Sequence, residues 1–309
     1  MQRWSGKLLR RHTAHWIDGN GKRYMKHFFL ITNPLKDREL VTTKRIKSFL
    51  EQKGCSCKVQ VYDQAKKDGG YTDSAEIPQD TECILVLGGD GTLIEAARDT
   101  SHLEIPLIGI NLGTLGFLAE VEQANLEHAL QSLIADQYQL ESRMMLKGSV
   151  MRDSKCRESS CALNDIVITR SGSMQIIHFH IYVNGQFLNE YDGDGVIIST
   201  PTGSTGYSMS AGGPIVEPAA RLMVITPICP HTLNTRSIIL SADDEIVVEM
   251  VSERGEHREQ AEVNFDGSHG VALRANDKIY VTRSERTTEI VKLNQMSFLE
   301  ILHKKMSVK

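Results

Sequence analysis

The sequence predicts an α/β amino-terminal domain with a parallel sheet, followed by a mostly-β carboxy-terminal domain. Three observations lead there. From His27 to about Ser142, short apolar runs alternate with amphipathic helical segments, the pattern of parallel strands covered by helices. After residue 143 the apolar period switches to two, with polar turns between segments. Finally, MQIIHFHIYV and QFLNEY flank an Asn184-Gly185 pair, a strong hairpin signal.

Taken in order, residues 1–25 read as a dispensable extension. The first 26 residues carry seven Lys or Arg against one acid, Asp18, and Met25 is a candidate start. A transit peptide is the competing reading, but the segment is poor in Ser and lacks a clear amphipathic period. Residues 26–142 form the α/β domain. HFFLIT is an apolar strand, KDRELVTTKRIKSFLEQKG a helix closed by Gly54, CKVQVY an alternating strand and CILVLGG a buried one. IPLIGINLGTLGFL adds a buried strand and a glycine-punctuated loop, and NLEHALQSLIAD returns to helical spacing. Residues 143–290 form the β-rich domain, continued by SIILSADDEIVVEMV, VALRANDKIYVTRS and TTEIVKL. In the closing segment, 291–309, SFLEILHKKM has helical spacing and is expected to dock back on the first domain.

At 309 residues, 40% hydrophobic and 24% charged, the composition is that of an ordinary globular chain. A net charge of −4 supplies no basic footprint, which argues against nucleic acid as a partner. No run approaches the ~18 apolar residues of a membrane span, and no secretory signal opens the chain, so no membrane partner and a cytoplasmic location are expected. The six cysteines are spread too thinly for a disulfide framework or a zinc knuckle.

Residues 86–100, VLGGDGTLIEAARDT, place Asp90 among three glycines where a buried strand runs into a helix. Thr92 and Glu95 have the spacing of a capping box that would start the helix. Amides at such a helix start, at the carboxyl end of a parallel strand, attract phosphate. The alternative is a tight turn in which Asp90 only complements the helix dipole. No Walker lysine follows, and no G-x-G-x-x-G follows a strand. A carboxylate beside polyphosphate repels it unless it holds a metal ion or takes a proton from an attacking hydroxyl, which makes a phosphotransferase the leading class. Asp90→Asn is then expected to spare the fold and lower turnover.

Residues 192–214, DGDGVIISTPTGSTGYSMSAGGP, crowd eight Ser, Thr and Tyr hydroxyls among glycines behind an apolar strand. Such a loop can surround a neutral polar ring, with Tyr207 offering a flat face; a flexible Ser/Gly linker is the alternative. Asn164 and Asp165 fit either a grip on ribose hydroxyls and a base edge or a strand-start turn. His178 and His180 share a strand face, but without a third ligand nearby they predict no metal site. His231 in TPICPH reads as structural support and Asp266-Gly267 as a turn.

GGDGT, GINLGTLGFL, LND, DGVIISTPTGSTGY, SAGGP, TPICPH and the late FDG occur in the order and approximate spacing seen in NAD kinases, over residues 26 to about 303. The chain closely resembles that family. GGDGT alone is similar to loops of diacylglycerol, sphingosine and 6-phosphofructo kinases; the second motif and its distance from the first separate them. A lipid kinase would want an apolar acyl channel, and a non-enzymatic NAD-binding sensor could dispense with Asp90. Two departures stand out: the family commonly has Asn-Glu at Asn164-Asp165 and Ala at Gly206. The resemblance implies transfer of the γ-phosphoryl of ATP, with magnesium, to the 2′-hydroxyl of the adenosine ribose of NAD. It implies Asp90 as the catalytic residue and a phosphate cradle of Gly88, Gly89, Gly91 and Thr92. It also implies an NAD pocket of Asp90, Gly91, Phe117, Asn164, Asp165, Asp194, Thr202, Thr205, Gly206, Tyr207 and Ser210. Asp194 and Gly206 would act across a subunit interface, which implies a homodimer or homotetramer. Some members of the family use polyphosphate as donor or NADH as acceptor.

Overall fold

The computed structural model describes residues 16–17, 23–62, 72–113, 116–119, 121–172, 176–232, 236–251, 261–267, 270–293 and 296–307. Two short strands, β1 (Trp16–Ile17) and β2 (Arg23–Tyr24), pair as a separate antiparallel ribbon; the rest of residues 1–22 lies outside the described residues. Met25 belongs to the core. It is 1% exposed, packs in the cluster of Phe28, Leu50 and Leu133, and donates its N–H to the Ile134 carbonyl at 3.1 Å.

The apolar runs become a parallel sheet. β3 (His27–Thr32), α1 (Val41–Gln52), β4 (Ser56–Val61), β5 (Cys83–Gly88), α2 (Asp90–Thr100) and β6 (Leu107–Asn111) follow in sequence. The spatial order is β6-β5-β3-β4, with the short β7 (Val121–Glu122) beside β6 before α3 (Leu126–Ile134). Because both faces are covered, β3, β5 and β6 are continuously apolar. Phe28, Leu30, Leu85 and Ile108 pack under Ile46 of α1 and Leu130 of α3, whereas Phe29, Ile84 and Val86 meet Leu93 and Ala97 of α2. β4, at the edge, keeps the alternation that its sequence has.

The second half begins with a long hairpin, β8 (Gln139–Arg152) and β9 (Lys155–Ala162). It continues through β10 (Asp165–Arg170), β11 (Ile177–Val183), β12 (Gln186–Gly193) and β13 (Gly195–Ser199) to the short helix α4 (Tyr207–Ser210). Then come β14 (Leu222–Ile228), β15 (Ile238–Ser241), β16 (Ile246–Val251), β17 (Ala261–Phe265), β18 (Gly270–Leu273), β19 (Lys278–Lys292) and α5 (Phe298–Ser307). The expected β11–β12 turn is present, with Asn184 and Gly185 at φ 51° and 77°, the left-handed pair a tight hairpin needs. A six-stranded antiparallel sheet, β15-β14-β13-β10-β17-β18, packs on β8, β11, β16 and β19 around Leu146, Ile168, Phe179, Val196, Val248 and Ile279.

β19 joins the halves. Its first residues pair with β16, its whole length with β8, and Ile290 pairs in parallel with Leu107 of β6, so the parallel sheet continues into the β-rich half as one eleven-stranded sheet. An irregularity between Arg283 and Thr287 bends β19 between the two environments. β8 runs unbroken through residue 143 and β19 through residue 291, so both ends of the β-rich unit are shared strands rather than linkers. Among the described residues no helix is long and apolar enough to cross a membrane.

One truncation and one substitution at the amino end separate extension from core. A chain truncated to begin at Met25 is expected to keep the thermal midpoint of the full chain, whereas Met25→Ala in the full chain should cost ~2–5 kcal/mol in urea denaturation. A large loss in the truncation, or none in Met25→Ala, would move the boundary.

Candidate active site

β3, β5 and β6 all end at one edge of the parallel sheet, and the site is built on the turn after β5. α2 starts at Asp90, two residues before the predicted start at Thr92. Gly89 is the N-cap, in extended backbone (φ −126°, ψ −172°), and no side chain caps the helix. The capping box therefore does not form: Thr92 lies inside the first turn, 4% exposed and folded against Gly88, where an added Cβ would collide with its side chain. The glycines let the chain pass from strand to helix within one residue, and the first amides of α2 are left without a side-chain partner.

Asp90 stands at that start and does structural work. Its Oδ2 accepts from the Phe117 N–H at 2.6 Å, and its Oδ1 accepts from Leu118 and Ala119 at 3.3 and 3.0 Å. A Cβ on Gly116 would overlap the carboxylate, so the chain can pass there only as glycine. The dipole-only reading is too weak for this arrangement, and so is the expectation that Asp90→Asn spares the fold. An asparagine would turn an N–H toward a backbone N–H and leave buried donors unsatisfied, at about 1–3 kcal/mol.

A second aspartate does the same on the facing strand. Asp266, at φ 52° in the turn after β17, accepts from the N–H groups of Leu163, Asn164 and Asp165 at 2.7, 2.8 and 3.1 Å. This holds the LND segment at the mouth of β10, so the predicted turn at Asp266 is also a brace. Burial, opposed by these three amides and by Arg98, pushes the Asp266 carboxyl up to about 6. Asp165, 6% exposed, is pushed up to about 7, first by burial and then by the neighbouring Asp266 charge. Burial also raises Glu95. Arg98 of α2 donates to the Phe265 carbonyl at 3.3 Å and pairs with Asp99 at 2.9 Å, which ties the helix to the Asp266 turn. Between these parts lies a cleft of about 520 Å³, lined by Gly91, Glu95, Asn164, Asp165, Tyr207 and Asp266 among others.

The hydroxyl-rich loop is neither a flexible linker nor a set of free donors. Several of its eight hydroxyls are engaged inside the protein: Thr200 Oγ1 donates to the Leu163 carbonyl, Ser204 Oγ to the Pro201 carbonyl, Thr205 Oγ1 to the Thr202 carbonyl, and Ser208 bonds Thr226. Tyr207, 44% exposed, remains presented to the cleft. A methyl at Gly206 would stand 3.3 Å from the Gly203 carbonyl oxygen and 3.5 Å from Asn164 Nδ2, so alanine there requires the turn to give by a few tenths of an ångström.

Phe117, Thr202 and Thr205 line a separate small cavity of about 50 Å³ that α5 closes with Phe298 and Ile301. Phe298 meets the Phe117 ring at 6.5 Å between centroids, and Lys305 Nζ lies 4.7 Å from that ring's centroid. The cavity also contains Arg143, which sequence reasoning missed. Its side chain is 6% exposed, donates to Thr202 Oγ1 at 3.3 Å and pairs with Glu141 at 3.0 Å. The signal was a charged residue on the inward phase of an alternating strand. Asp194 flanks the far end of the cleft, because Gly195 after it pairs with Thr169, one of the cleft's lining residues. It pairs with Arg170 at 2.7 Å at the opposite end of β13, roughly 15–20 Å along the strand from Thr200. Ser210 lines neither cavity. His178 and His180 pair with Asp192 and Glu190 on β12, and His231 donates its N–H to the Asp192 carbonyl, away from the cleft.

The Asp165 shift has a sign that can be measured. A carboxyl that binds its proton more tightly folded than unfolded makes the fold lose stability as pH rises from about 4 to about 7. Asp165→Asn should flatten this part of the pH–stability curve relative to the parent chain. An equal change in unfolding free energy between pH 5 and 7.5 for the variant and the parent chain would refute the shift.

Both halves match family models: residues 28–138 match the ATP-NAD kinase N-terminal domain and residues 163–293 the ATP-NAD kinase C-terminal domain. Among curated relatives, an NAD kinase of Agathobacter rectalis is 51% identical, over 91% of this chain and 99% of its own length. One of Lachnospira eligens is 47% identical, over 91% of this chain and 100% of its own. Two solved structures share the fold at 24% identity. Yeast NADH kinase complexed with NADH has a TM-score of 0.79, over 93% of this chain and 89% of that one. An NAD kinase from Archaeoglobus fulgidus in complex with ATP has a TM-score of 0.70, over 91% of this chain and 100% of that one.

Proposed function

The chain belongs to the NAD kinase family and phosphorylates NAD, and from that premise we propose how its residues divide the reaction. The γ-phosphoryl of ATP passes directly to the 2′-hydroxyl of the adenosine ribose, and Asp90 faces that hydroxyl. The observation that carries this reading is the fixed orientation of the Asp90 carboxylate at the uncapped start of α2. A carboxylate offers about four acceptor sites. Three backbone amides use most of them, leaving room for a hydroxyl proton. Amide donors weaken a carboxylate as a base, but a loose phosphoryl-transfer transition state asks chiefly for aim. Asp90 holds the hydroxyl in line and takes its proton as the new P–O bond forms.

The amides of Gly88, Gly89, Gly91 and Thr92 offer the phosphates a cradle. Asn164, Asp165 and Tyr207 line the cleft for the adenosine, and Phe117, Thr202 and Thr205 belong to the adjoining wall. We assign Asp194, held by Arg170 at the end of β13 away from Thr200, together with the Gly206 segment, to an interface in a homodimer or homotetramer, as the family resemblance implies. Among the described residues no three His, Cys, Asp or Glu side chains gather as a metal cage, which suits magnesium carried mainly on triphosphate oxygens and water, where it neutralises charge.

NADP formation tests the assignment. Asp90→Asn should lower turnover by ~10² or more even where the protein is fully folded; near-normal NADP formation would remove Asp90 from the chemistry. Tyr207→Ala should raise KM for NAD by about 2–12-fold, the equivalent of ~0.5–1.5 kcal/mol of lost stacking, with KM for ATP little changed. An unchanged KM for NAD would take Tyr207 off the adenosine.

A further inference from the structure

The GGDGT turn lacks the lysine that other phosphate loops carry, yet a lysine stands over it from another element. A Cβ placed on Gly89 would lie 2.8 Å from Lys36 Nζ, so that ammonium occupies the space beside the N-cap of α2. Lys36 lies in the loop after β3, the strand that runs parallel beside β5, so both loops emerge at the same edge.

The loop is fixed at both ends. Asn33 donates its N–H to the Leu87 carbonyl at 3.3 Å, accepts from Lys36 and Asp37 N–H through its own carbonyl at 3.0 and 2.9 Å, and accepts from Leu35 N–H through Oδ1 at 3.0 Å. Asp37, 3% exposed, accepts from the N–H groups of Thr42 and Thr43 at 3.0 and 2.8 Å and so anchors the loop to α1. The backbone of Lys36 is thereby pinned beside the turn while its side chain stays exposed. No carboxylate among the described residues pairs with its ammonium; the nearby acid that feels it is Glu95, whose carboxyl it pulls down against burial. Arg98, the other cation near the turn, is already committed to Asp99 and the Phe265 carbonyl.

We propose that Lys36 binds the triphosphate of the phosphoryl donor and holds the transferring end against the amides of Gly89 and Gly91, in place of the absent loop lysine. The assignment rests on the kinase reading above and deepens it. A charge supplied from the neighbouring strand's loop, rather than from α2 itself, leaves the first turn of α2 free for Asp90. ATP and inorganic polyphosphate present the same triphosphate chemistry, so Lys36 serves either.

The experiment uses the full chain with Lys36→Met and Lys36→Arg, varying ATP and NAD separately. Loss of one charged hydrogen-bond donor should raise KM for ATP and lower kcat, by about tenfold or more in kcat/KM, with KM for NAD unchanged; arginine should restore most of the loss. In parallel, inorganic tripolyphosphate should raise the thermal midpoint of the parent chain and do so much less for Lys36→Met. An unchanged KM for ATP, an equal rise in both KM values, or undiminished protection by tripolyphosphate would each overturn the role. Absence of NADP formation by the parent chain would instead overturn the kinase reading, and the tripolyphosphate measurement would still judge Lys36.

Discussion

The site depends on one contact: a carboxylate at the first position of a helix accepting three consecutive backbone amides from a loop that comes from a different strand. Asp90 gives the loop at 116–119 its shape, and that loop in turn gives Asp90 its direction. Neither has a defined geometry alone. Gly116 is the steric counterpart of this contact, since any side chain there would occupy the carboxylate's place. A residue assigned to chemistry is therefore also a structural clamp, and the two roles use different lone pairs of the same group.

Asp266 repeats the device on the β-rich half, where it grips Leu163, Asn164 and Asp165. Each half of the site thus carries a loop drawn tight by an acid from a neighbouring element, the segment at Asn164 and Asp165 lining the large cleft and that at Phe117 and Leu118 the small cavity. The cost is electrostatic. Asp165 and Asp266 are buried close together, and the Asp266 charge makes Asp165 harder to ionise than burial alone would, whereas three amides and Arg98 partly offset burial for Asp266 itself. Arg98 connects the two halves of this arrangement, because its helix begins with Asp90 and its guanidinium ends at the carbonyl preceding Asp266.

Much of this was legible in the sequence, for reasons that differ by element. β3, β5 and β6 were readable because strands buried on both faces are unbroken apolar runs, and the β11–β12 hairpin because Asn184-Gly185 accepts left-handed backbone. The site motifs were readable because glycines and acids crowd where strands end. The start of α2 was misread because a side-chain cap leaves a sequence pattern, whereas a glycine cap differs little from an ordinary turn. The internal bonds of the hydroxyl loop were not legible, because composition counts donors without saying which are consumed internally. Long-range partners such as Asp90 with Phe117, Asp266 with Leu163, or Arg143 with Thr202 have no local signal; only the fold brings residues 27 to 103 positions apart into contact.

The shared strands have a mechanical consequence. A kinase whose lobes are joined by linkers can expel water by swinging one lobe onto the other, with a few linker residues absorbing the rotation. Here β8 and β19 run from one half into the other as paired, hydrogen-bonded neighbours, and β19 is bonded to β6 as well. Rotation between the halves would have to tear that ladder, so the described residues place no hinge between them. Any closing over bound nucleotide falls to smaller pieces carried on a stiff frame: the segment clamped by Asp90, the loop that bears Tyr207, and the terminal helix resting on Phe117.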